Sequence, residues 1–391
     1  MKNNKTPSIR FKGFTDPWEQ RKFSEIASRE STTQESSRDF PSVEYEDVIT
    51  EAGRLNKDVY QKEAVKKGIV FDGSQVLYGK LRPYLHNWLN PEFSGVAVGD
   101  WWVLKPIETD KSFLYRLIQT QQFDDVANQS TGSKMPRADW NLVSDSEFAV
   151  PISQNEQAKI GEYFENLDNL ITLHQRKYDK LQNIKKSMLE KMFPKNGSNV
   201  PEIRFSGFTD PWEQRKLGDV AKYRNGRAHE NDISEQGKFI VVNSKFVSTN
   251  GKVRKFSNKQ IEPLFNNEIA FVLSDVPNGR AIARTFLVDK NDKYTLNQRI
   301  AGITPIEGVW PYFLHILMNR NKYFLQFDDD AKQTNLSVTD VMEFAEYYPS
   351  SGEQQQIGVL FQQLDNLITL HQRELEKLQN IKKSMLEKMF V

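Results

Sequence analysis

The chain has 391 residues, enough for two or more domains with hydrophobic cores. Its 53 basic residues balance 52 acidic ones, so any surface that binds an anion must be local. The absence of cysteine excludes disulfide bonds and thiolate chemistry. No apolar run approaches the roughly 18 residues of a membrane span, and the first residues lack the apolar core of a signal peptide. We therefore expect a cytoplasmic protein.

A repeated segment divides the chain into two halves of the same plan. Residues 7–22 recur at 201–216 with two changes, Ser8 to Glu202 and Lys12 to Ser206. In each half a region of unlike sequence follows, and then a long helical pattern. The predicted domains are an N-terminal segment (1–23), a first variable region (24–152), a long helix (153–193), a linker with the second copy of the segment (194–217), a second variable region (218–349) and a second long helix (350–391). The repeat places the end of the chain near its start, in a nearly circular arrangement.

Both variable regions have patterns typical of mixed α/β domains. The predicted strands are 73–78 and 97–104 in the first region, and 239–242, 270–273 and 281–288 in the second. Pro277-Asn278-Gly279 predicts a hairpin turn. Residues 113–122 and 310–319 have helical patterns. The repeated segments and helices are closely similar, whereas the domains between them differ in sequence. This contrast indicates that the domains carry the function that varies between the two halves.

The two long helices have the apolar seam of a coiled coil, in which spacings of four and three residues alternate. The predicted seam residues are Ile160, Phe164, Leu167, Ile171, His174, Tyr178 and Leu181 in the first helix, and Ile357, Phe361, Leu364, Ile368, His371, Leu375 and Leu378 in the second. Ser153 with Glu156, and Ser350 with Glu353, have the spacing of a capping box. Each helix is about 55 Å long at roughly 1.5 Å per residue, so its seam needs a partner.

Charge favours antiparallel pairing of these two helices with each other. In both copies the first half is acidic and the second half is basic, so antiparallel pairing places opposite charges side by side. This pairing should bring His174 and His371, the midpoints of the two patterns, together near a pseudo-twofold axis. The alternative is that each helix packs only on its own neighbouring domain.

Motifs for catalysis are absent from the sequence. There is no glycine-rich nucleotide fingerprint, and residues 130–134 lack the spacing of a P-loop. Residues 90–93, Asn-Pro-Glu-Phe, differ from a methyltransferase motif at the third position and fit a turn better. The five histidines show no metal-ligand spacing, and Asp328-Asp329-Asp330 fits a solvated loop. We predict no catalytic residue, no metal site and no cofactor bound by this chain.

Basic and polar loops in both variable regions fit nucleic-acid contact. Their side chains can bind phosphates or hydrogen-bond to base edges. The predicted DNA contacts are Tyr78, Lys80, Arg82, Tyr84, Lys134 and Arg137 in the first region, and Lys245, Lys252, Arg254, Lys255, Arg280, Lys332, Gln333 and Asn335 in the second. For any one of these residues an ordinary solvated loop is the competing interpretation. The recurrence of such loops ahead of both helices favours contact.

These motifs make the whole chain resemble the specificity subunit of a type I restriction-modification system. The resemblance lies in the duplicated segment at 10–22 and 204–216, the duplicated helix motifs at 167–176 and 181–193, and the Pro-to-Glu-Gln stretches at 151–157 and 349–354. It implies two target recognition domains of mixed α/β (α+β) fold, separated by two long helices in an antiparallel coiled coil. It also implies a non-catalytic chain that binds a bipartite site in double-stranded DNA.

The resemblance further implies two modification subunits, which bind S-adenosylmethionine and methylate adenine, and two restriction subunits, which use ATP and Mg²⁺. Two reading domains on one face of B-DNA need centres about one turn, roughly 34 Å, apart. A helix pair of about 55 Å can span that distance and is expected to set the length of the unread spacer. Two other functions stay open from the sequence alone: a self-contained methyltransferase or nuclease, and a coiled-coil scaffold that binds only protein.

Overall fold

The computed structural model describes residues 6–129, 134–195, 197–276, 280–328 and 333–391. It divides into two units, one made of Met1–Arg176 with His371–Val391 and the other of Lys177–Leu370. Each unit therefore contains one variable region and a part of both long helices. No helix in the described ranges is long and apolar enough to cross a membrane.

The first unit contains short strands and helices ahead of one long helix. Its strands are β1 (Glu19–Lys22), β2 (Ala27–Arg29), β3 (Thr33–Glu35), β4 (Ser42–Val43), β5 (Val48–Ile49), β6 (Arg54–Leu55), β7 (Lys67–Phe71), β8 (Val76–Gly79), β9 (Trp88–Leu89), β10 (Gly95–Ala97), β11 (Trp101–Pro106) and β12 (Glu147–Val150). Its helices are α1 (Phe23–Ile26), α2 (Lys111–Leu117), α3 (Gln121–Ala127), α4 (Trp140–Asp145) and the start of α5 (Gln154–Lys191).

The second unit repeats this plan. Its strands are β13 (Glu213–Lys216), β14 (Ala221–Asn225), β15 (Phe239–Val242), β16 (Phe256–Ser257), β17 (Pro263–Leu264), β18 (Ile269–Val272), β19 (Ser274–Asp275), β20 (Thr285–Leu287), β21 (Tyr294–Leu296), β22 (Ile300–Pro305), β23 (Thr334–Asn335) and β24 (Ala345–Tyr348). Its helices are α6 (Leu217–Val220), α7 (Ser244–Ser248), α8 (Pro311–Met318), α9 (Lys322–Leu325), α10 (Val338–Met342) and most of α11 (Ser351–Met389), whose end belongs to the first unit.

The two variable regions share one sheet topology although their sequences have little in common. The sheet β2-β11-β8-β9 corresponds to β14-β22-β18-β20, antiparallel throughout in both. A second sheet contains a parallel pair, β4 with β10 and β15 with β21, next to an antiparallel strand, β7 or β17. The regions differ at the edge: β3 extends this sheet beside β7, whereas β16 extends it beside β15. Mixed α/β domains, predicted from the sequence, are confirmed.

Some predicted elements have different bounds in the structure. The strand predicted at 97–104 is interrupted by a turn at Gly99, whose φ of +99° favours glycine. The helix predicted at 113–122 is two helices, because Thr120 caps α3 by accepting a hydrogen bond from the backbone N–H of Phe123 at 3.3 Å. The strand predicted at 281–288 is limited to β20, after Ala283 with φ of +57°. Pro277-Asn278-Gly279 lies outside the described residues.

The long helices were predicted closely by their apolar seams, and within each unit they run antiparallel. In the first unit Asp168 of α5 binds Lys382 of α11 (Oδ1 to Nζ, 2.7 Å), and further along α5 His174 meets His371. In the second unit Lys185 binds Asp365 (Nζ to Oδ1, 2.5 Å). All the predicted seam residues are buried or half-buried.

Part of the seam also enters the domain cores, so each helix packs on its own domain in addition to the other helix. The alternative in which each helix packs only on its own domain is wrong. Ile160 and Phe164 belong to the core of the first variable region, and Ile357 and Phe361 to that of the second. The first third of each helix thus packs on its own domain as well as on the other helix. This arrangement fixes each domain to the helix pair by apolar burial.

The repeated segment ties the helix ends together in each unit. In the first unit the Arg10 guanidinium forms two hydrogen bonds to the Glu156 carboxylate, at 2.5 and 2.7 Å. The backbone N–H of Ile9 donates to the carbonyl of Lys388 at 3.0 Å, so the first copy of the repeated segment lies beside the last turn of α11. The second unit repeats the Arg–Glu pair with Arg204 and Glu353. In the second helix the Ser350 hydroxyl accepts from the backbone N–H of Glu353 at 3.4 Å, so the serine half of the predicted capping box forms. The Glu156 and Glu353 carboxylates bind the arginines.

Candidate nucleic-acid interface

In the first unit, the polar loop before α4 pairs with the chain that leaves β8. Leu81 and Arg137 form an antiparallel bridge. The backbone N–H of Arg82 donates to the carbonyl of Pro136 at 2.7 Å, and that of Ala138 to the carbonyl of Lys80 at 2.8 Å. The fold thus brings together Lys80, Arg82 and Arg137, which are up to 57 positions apart in the sequence. These three cations were predicted as DNA contacts.

The Asp100 carboxylate contacts two of these cations, Arg137 and Lys80. The Arg137 guanidinium binds Asp100 through Nε (3.2 Å) and Nη2 (3.0 Å), and the Lys80 ammonium lies 3.7 Å from the same carboxylate. The hydrogen bond from Arg137 holds the pKa of Asp100 below its ordinary value. Arg137 remains about half exposed, at 51%. The cluster therefore keeps a net positive charge and an exposed guanidinium, as contact with phosphate or a guanine edge requires.

Tyr78 was predicted as a DNA contact, and its burial contradicts that role. The residue is 2% exposed, and its ring stacks on Trp102 with centroids 5.5 Å apart. Burial raises the pKa of its phenol far above the ordinary value. β8 turns this side chain inward, so it contributes to the core. Tyr84 and Lys134 are exposed, as a surface role requires.

In the second unit the equivalent loop also pairs with the end of a core strand. β19, which follows β18, pairs with β23 through Ser274 with Asn335 and Asp275 with Thr334. The Gln333 side-chain amide donates to the Ser274 hydroxyl at 2.9 Å. This pairing places Gln333 and Asn335 at the position that Arg137 occupies in the first unit. Lys332, also predicted here, lies outside the described residues.

The basic stretch predicted in the second region lies on α7 and the turn after it. The four residues predicted there as DNA contacts are all exposed: Lys245, Lys252, Arg254 and Lys255. The Ser244 hydroxyl donates to the Ser274 carbonyl at 3.4 Å, which sets the start of α7 beside β19. Folding also supplies an acid that the local sequence lacks, because Asp232 binds Lys259 at 2.9 Å. The stretch is therefore less uniformly basic than its sequence indicates.

Three arginines lie close together next to β19, and only one of them, Arg280, was predicted as a DNA contact. Arg280 is exposed, as predicted. The Arg284 Nε–H donates to the Arg280 carbonyl, and the Arg320 guanidinium donates to the Ile282 carbonyl at 3.2 Å. Burial lowers the pKa of Arg284, and the nearby charges of Arg320 and Arg280 lower it further. Arg320 comes from the loop after α8, so only the tertiary fold could reveal the cluster.

The Asp275 carboxylate acts on this arginine cluster through its charge, which works against the lowering of the Arg284 pKa by burial. Asp275 accepts hydrogen bonds from the backbone N–H groups of Val276 (2.9 Å) and Ile282 (3.1 Å), which hold the loop. Asp275 therefore offsets part of the mutual repulsion, and three guanidinium groups against one carboxylate leave a net positive charge. Such an arrangement favours an anion brought from outside the chain.

The histidines of this chain bear on metal binding, because imidazole is the commonest metal ligand in proteins. No group of three or more His, Cys, Asp or Glu side chains among the described residues is placed to hold a metal ion. The buried His315 has its pKa lowered to about 4 by burial, next to Asp365 and Lys185. His229 is buried and hydrogen-bonds the Arg227 carbonyl and the Thr295 hydroxyl. These histidines are parts of the packed interior.

Comparisons with known proteins agree with this picture. The model of the family described as type I restriction modification DNA specificity domain matches residues 15–183 and 209–380. The type I restriction enzyme MjaVIII specificity subunit of Methanocaldococcus jannaschii is 21% identical over 308 residues, 72% of this chain and 69% of that protein. The crystal structure of a type I restriction-modification S subunit from M. genitalium has the same fold, with a TM-score of 0.70, 14% identity and 99% of both chains covered. A chain from a structure of type I complex assembly and conformational transition matches with a TM-score of 0.50 and 14% identity, over 95% of this chain and 97% of that one.

Proposed function

Because this chain belongs to the family of type I restriction-modification DNA specificity subunits, we propose that it reads a bipartite, asymmetric DNA site with one recognition domain for each part. The chemistry is then left to partner subunits. We expect two modification subunits with S-adenosylmethionine and two restriction subunits with ATP and Mg²⁺, in the cytoplasm. This chain supplies recognition and the frame on which they assemble.

The observation that carries this proposal is a shared domain topology with different surface chemistry. Both regions place a polar loop against the end of the strand that leads out of the main sheet. In the first domain that loop presents Arg137, which suits phosphate or guanine, whereas in the second it presents Gln333 and Asn335, which suit adenine. Two equivalent readers with unlike side chains recognise two unlike sequences. An asymmetric site follows.

The arginine cluster of the second domain provides a direct test of DNA binding. We expect Arg284→Gln to weaken binding of the cognate DNA by roughly tenfold or more, since one good base or phosphate contact is worth about 1–3 kcal/mol. The dependence of binding on salt should fall by about one unit of slope. Thermal stability should stay the same or rise, because the substitution relieves repulsion from Arg280 and Arg320. Fluorescence anisotropy over a salt series measures the first two quantities.

Lys290→Gln is the matched control, because Lys290 is an exposed cation of the same domain in the loop between β20 and β21. This variant should bind DNA as the unchanged chain does. Equal losses in both variants would indicate that only overall charge matters, and an unchanged affinity in Arg284→Gln would remove the cluster from the interface.

Exposed leucines on the long helices support the docking of partner subunits. Leu170 and Leu173 on α5 are 44% and 46% exposed, and Leu367 and Leu370 on α11 are 44% and 52% exposed. Each pair is spaced by three residues and therefore faces one side of its helix. Large apolar side chains repeated at the same place in both copies fit two equivalent protein partners. We assign these faces to the two modification subunits.

Changing Leu170 and Leu173 together to glutamine should weaken assembly with the modification subunit. Full burial of a leucine contributes about 1.5–3 kcal/mol, and docking would bury the remaining half of each side chain. The double change should therefore raise the dissociation constant by roughly 10–100-fold. Leu142→Gln is the matched control, since Leu142 is a 37% exposed leucine on α4, away from the helix pair. Analytical ultracentrifugation of mixed subunits measures assembly. Full assembly of the double variant would place the docking surface elsewhere.

A further inference from the structure

Two histidines face each other across the helix pair inside the first unit. His174 lies on α5, and His371 lies 197 residues later on α11. Their Nδ1 atoms are 3.1 Å apart, and their ring centroids are 5.1 Å apart with planes inclined by 62°. Both residues are half-buried, so part of each is in contact with solvent. Antiparallel pairing predicted this meeting, which the structure confirms.

The separation of the two nitrogens suits a shared metal ion. Imidazole nitrogen binds Zn²⁺ at about 2.0–2.1 Å. Two nitrogens at that distance from one ion and 3.1 Å from each other subtend about 100° at the ion, near the tetrahedral angle of about 109°. The neutral Nδ1 atom is an ordinary ligand atom, with the proton carried on Nε2. In the hydrogen bond the two nitrogens face each other, so binding would need both rings to turn until their lone pairs point at the ion.

Without a metal, a hydrogen bond joins the two Nδ1 atoms. A hydrogen bond between two Nδ1 atoms needs one nitrogen to carry a proton and the other to be free of one. A polar side chain at a seam position also costs stability relative to an apolar one. The first helix has His174 at the seam position between Ile171 and Tyr178. The second helix has His371 between Ile368 and Leu375. A metal ion that replaces the shared proton would bind both nitrogens and offset this cost.

We propose that His174 and His371 form a two-histidine site for a divalent transition metal, with water completing the coordination. The ion would link α5 to α11 inside the first unit. Since the described residues place no third His, Cys, Asp or Glu ligand in such a group, the site should be weaker than a structural zinc site with four protein ligands. Among divalent ions the site should have the highest affinity for Cu²⁺ and lower affinities for Ni²⁺ and Zn²⁺.

Calorimetric titration of the full chain with Cu²⁺ and with Zn²⁺ tests the proposal. The expected result is one equivalent bound per chain. His174→Asn and His371→Asn should each lower the affinity by about 100-fold or more, because loss of an outer-shell partner alone costs roughly 10–100-fold. His86→Asn is the control, since His86 lies in the recognition domain between Glu51 and Asp124, and it should bind as the unchanged chain does.

A spectroscopic measurement on the unchanged chain covers the case in which a variant fails to fold. Electron paramagnetic resonance with one equivalent of Cu²⁺ should show two equatorial imidazole nitrogens. Less than one equivalent bound, a spectrum with one or no imidazole nitrogen, or undiminished binding in His174→Asn would overturn the proposal. Because neither measurement involves DNA, the outcome is independent of the recognition function.

Discussion

Replacing residues 218–344 with the matching region of a relative should change one part of the recognised DNA sequence and leave the other part unchanged. The reason is that the second recognition domain is inserted into the frame at a single place. The backbone N–H of Leu217 donates to the carbonyl of Phe344 at 2.7 Å, so the two ends of the replaced region are adjacent. β13 and β24 pair just outside them, from Glu213 with Tyr348 to Lys216 with Ala345. The exchange therefore preserves the local anchor.

The first domain offers the reciprocal exchange as a control. There β1 and β12 pair in the same way, from Glu19 with Val150 to Lys22 with Glu147. The backbone N–H of Phe23 donates to the carbonyl of Ser146 at 2.9 Å, the counterpart of the Leu217 contact. Exchanging residues 24–146 should change only the other part of the site. If either exchange altered both parts of the DNA site, the two domains would not read DNA independently of each other.

Arg204→Met should lower the free energy of unfolding by about 3 kcal/mol, because it leaves a buried carboxylate without its partner. Glu353 is 1% exposed and receives two hydrogen bonds of 2.8 Å from Arg204. The same guanidinium donates to the carbonyl of Asp210 at 2.6 Å, so its loss also frees the repeated segment. Urea denaturation followed by tryptophan fluorescence measures the change, with Trp212 buried in the same segment.

Two companion variants separate the buried charge from the general effect of mutation. Adding Glu353→Gln to Arg204→Met should recover part of the lost stability, since a neutral amide costs less to bury than a carboxylate. Lys216→Gln breaks an ion pair with Glu343 in which both side chains are more than half exposed, and it should have little effect. A loss in Lys216→Gln as large as in Arg204→Met would mean that burial does not determine the effect.

The long helices and the repeat could be predicted because their signals extend over many residues. A seam of seven apolar or aromatic positions, repeated 197 residues later, leaves one helix register. Antiparallel pairing followed from charge, and the contact between His174 and His371 is its most specific confirmation. The Arg10 and Arg204 pairs were missed, since Glu156 and Glu353 have capping-box spacing and the sequence alone favoured that local use.

The recognition domains could be predicted only as a class. Many of their strands have two to four residues, too few for a periodic pattern to define faces or strand order. Tyr78 shows the consequence, because its alternation with Lys80 and Arg82 predicted an exposed aromatic residue where the structure has a core residue. Arg284 lies four residues from Arg280 and hydrogen-bonds its carbonyl, whereas Arg320 joins them only through the loop after α8, which no local motif indicates. The exposed contacts remain predictions until DNA binding is measured.

We propose that two unlike domains on a duplicated frame read the two parts of one interrupted DNA sequence. The most direct test is to map methylated adenines in DNA from cells that carry this chain with its modification subunit. We expect a single asymmetric motif in two parts, separated by an unread gap of constant length. A continuous motif, a palindrome, or a gap that varies from site to site would contradict it.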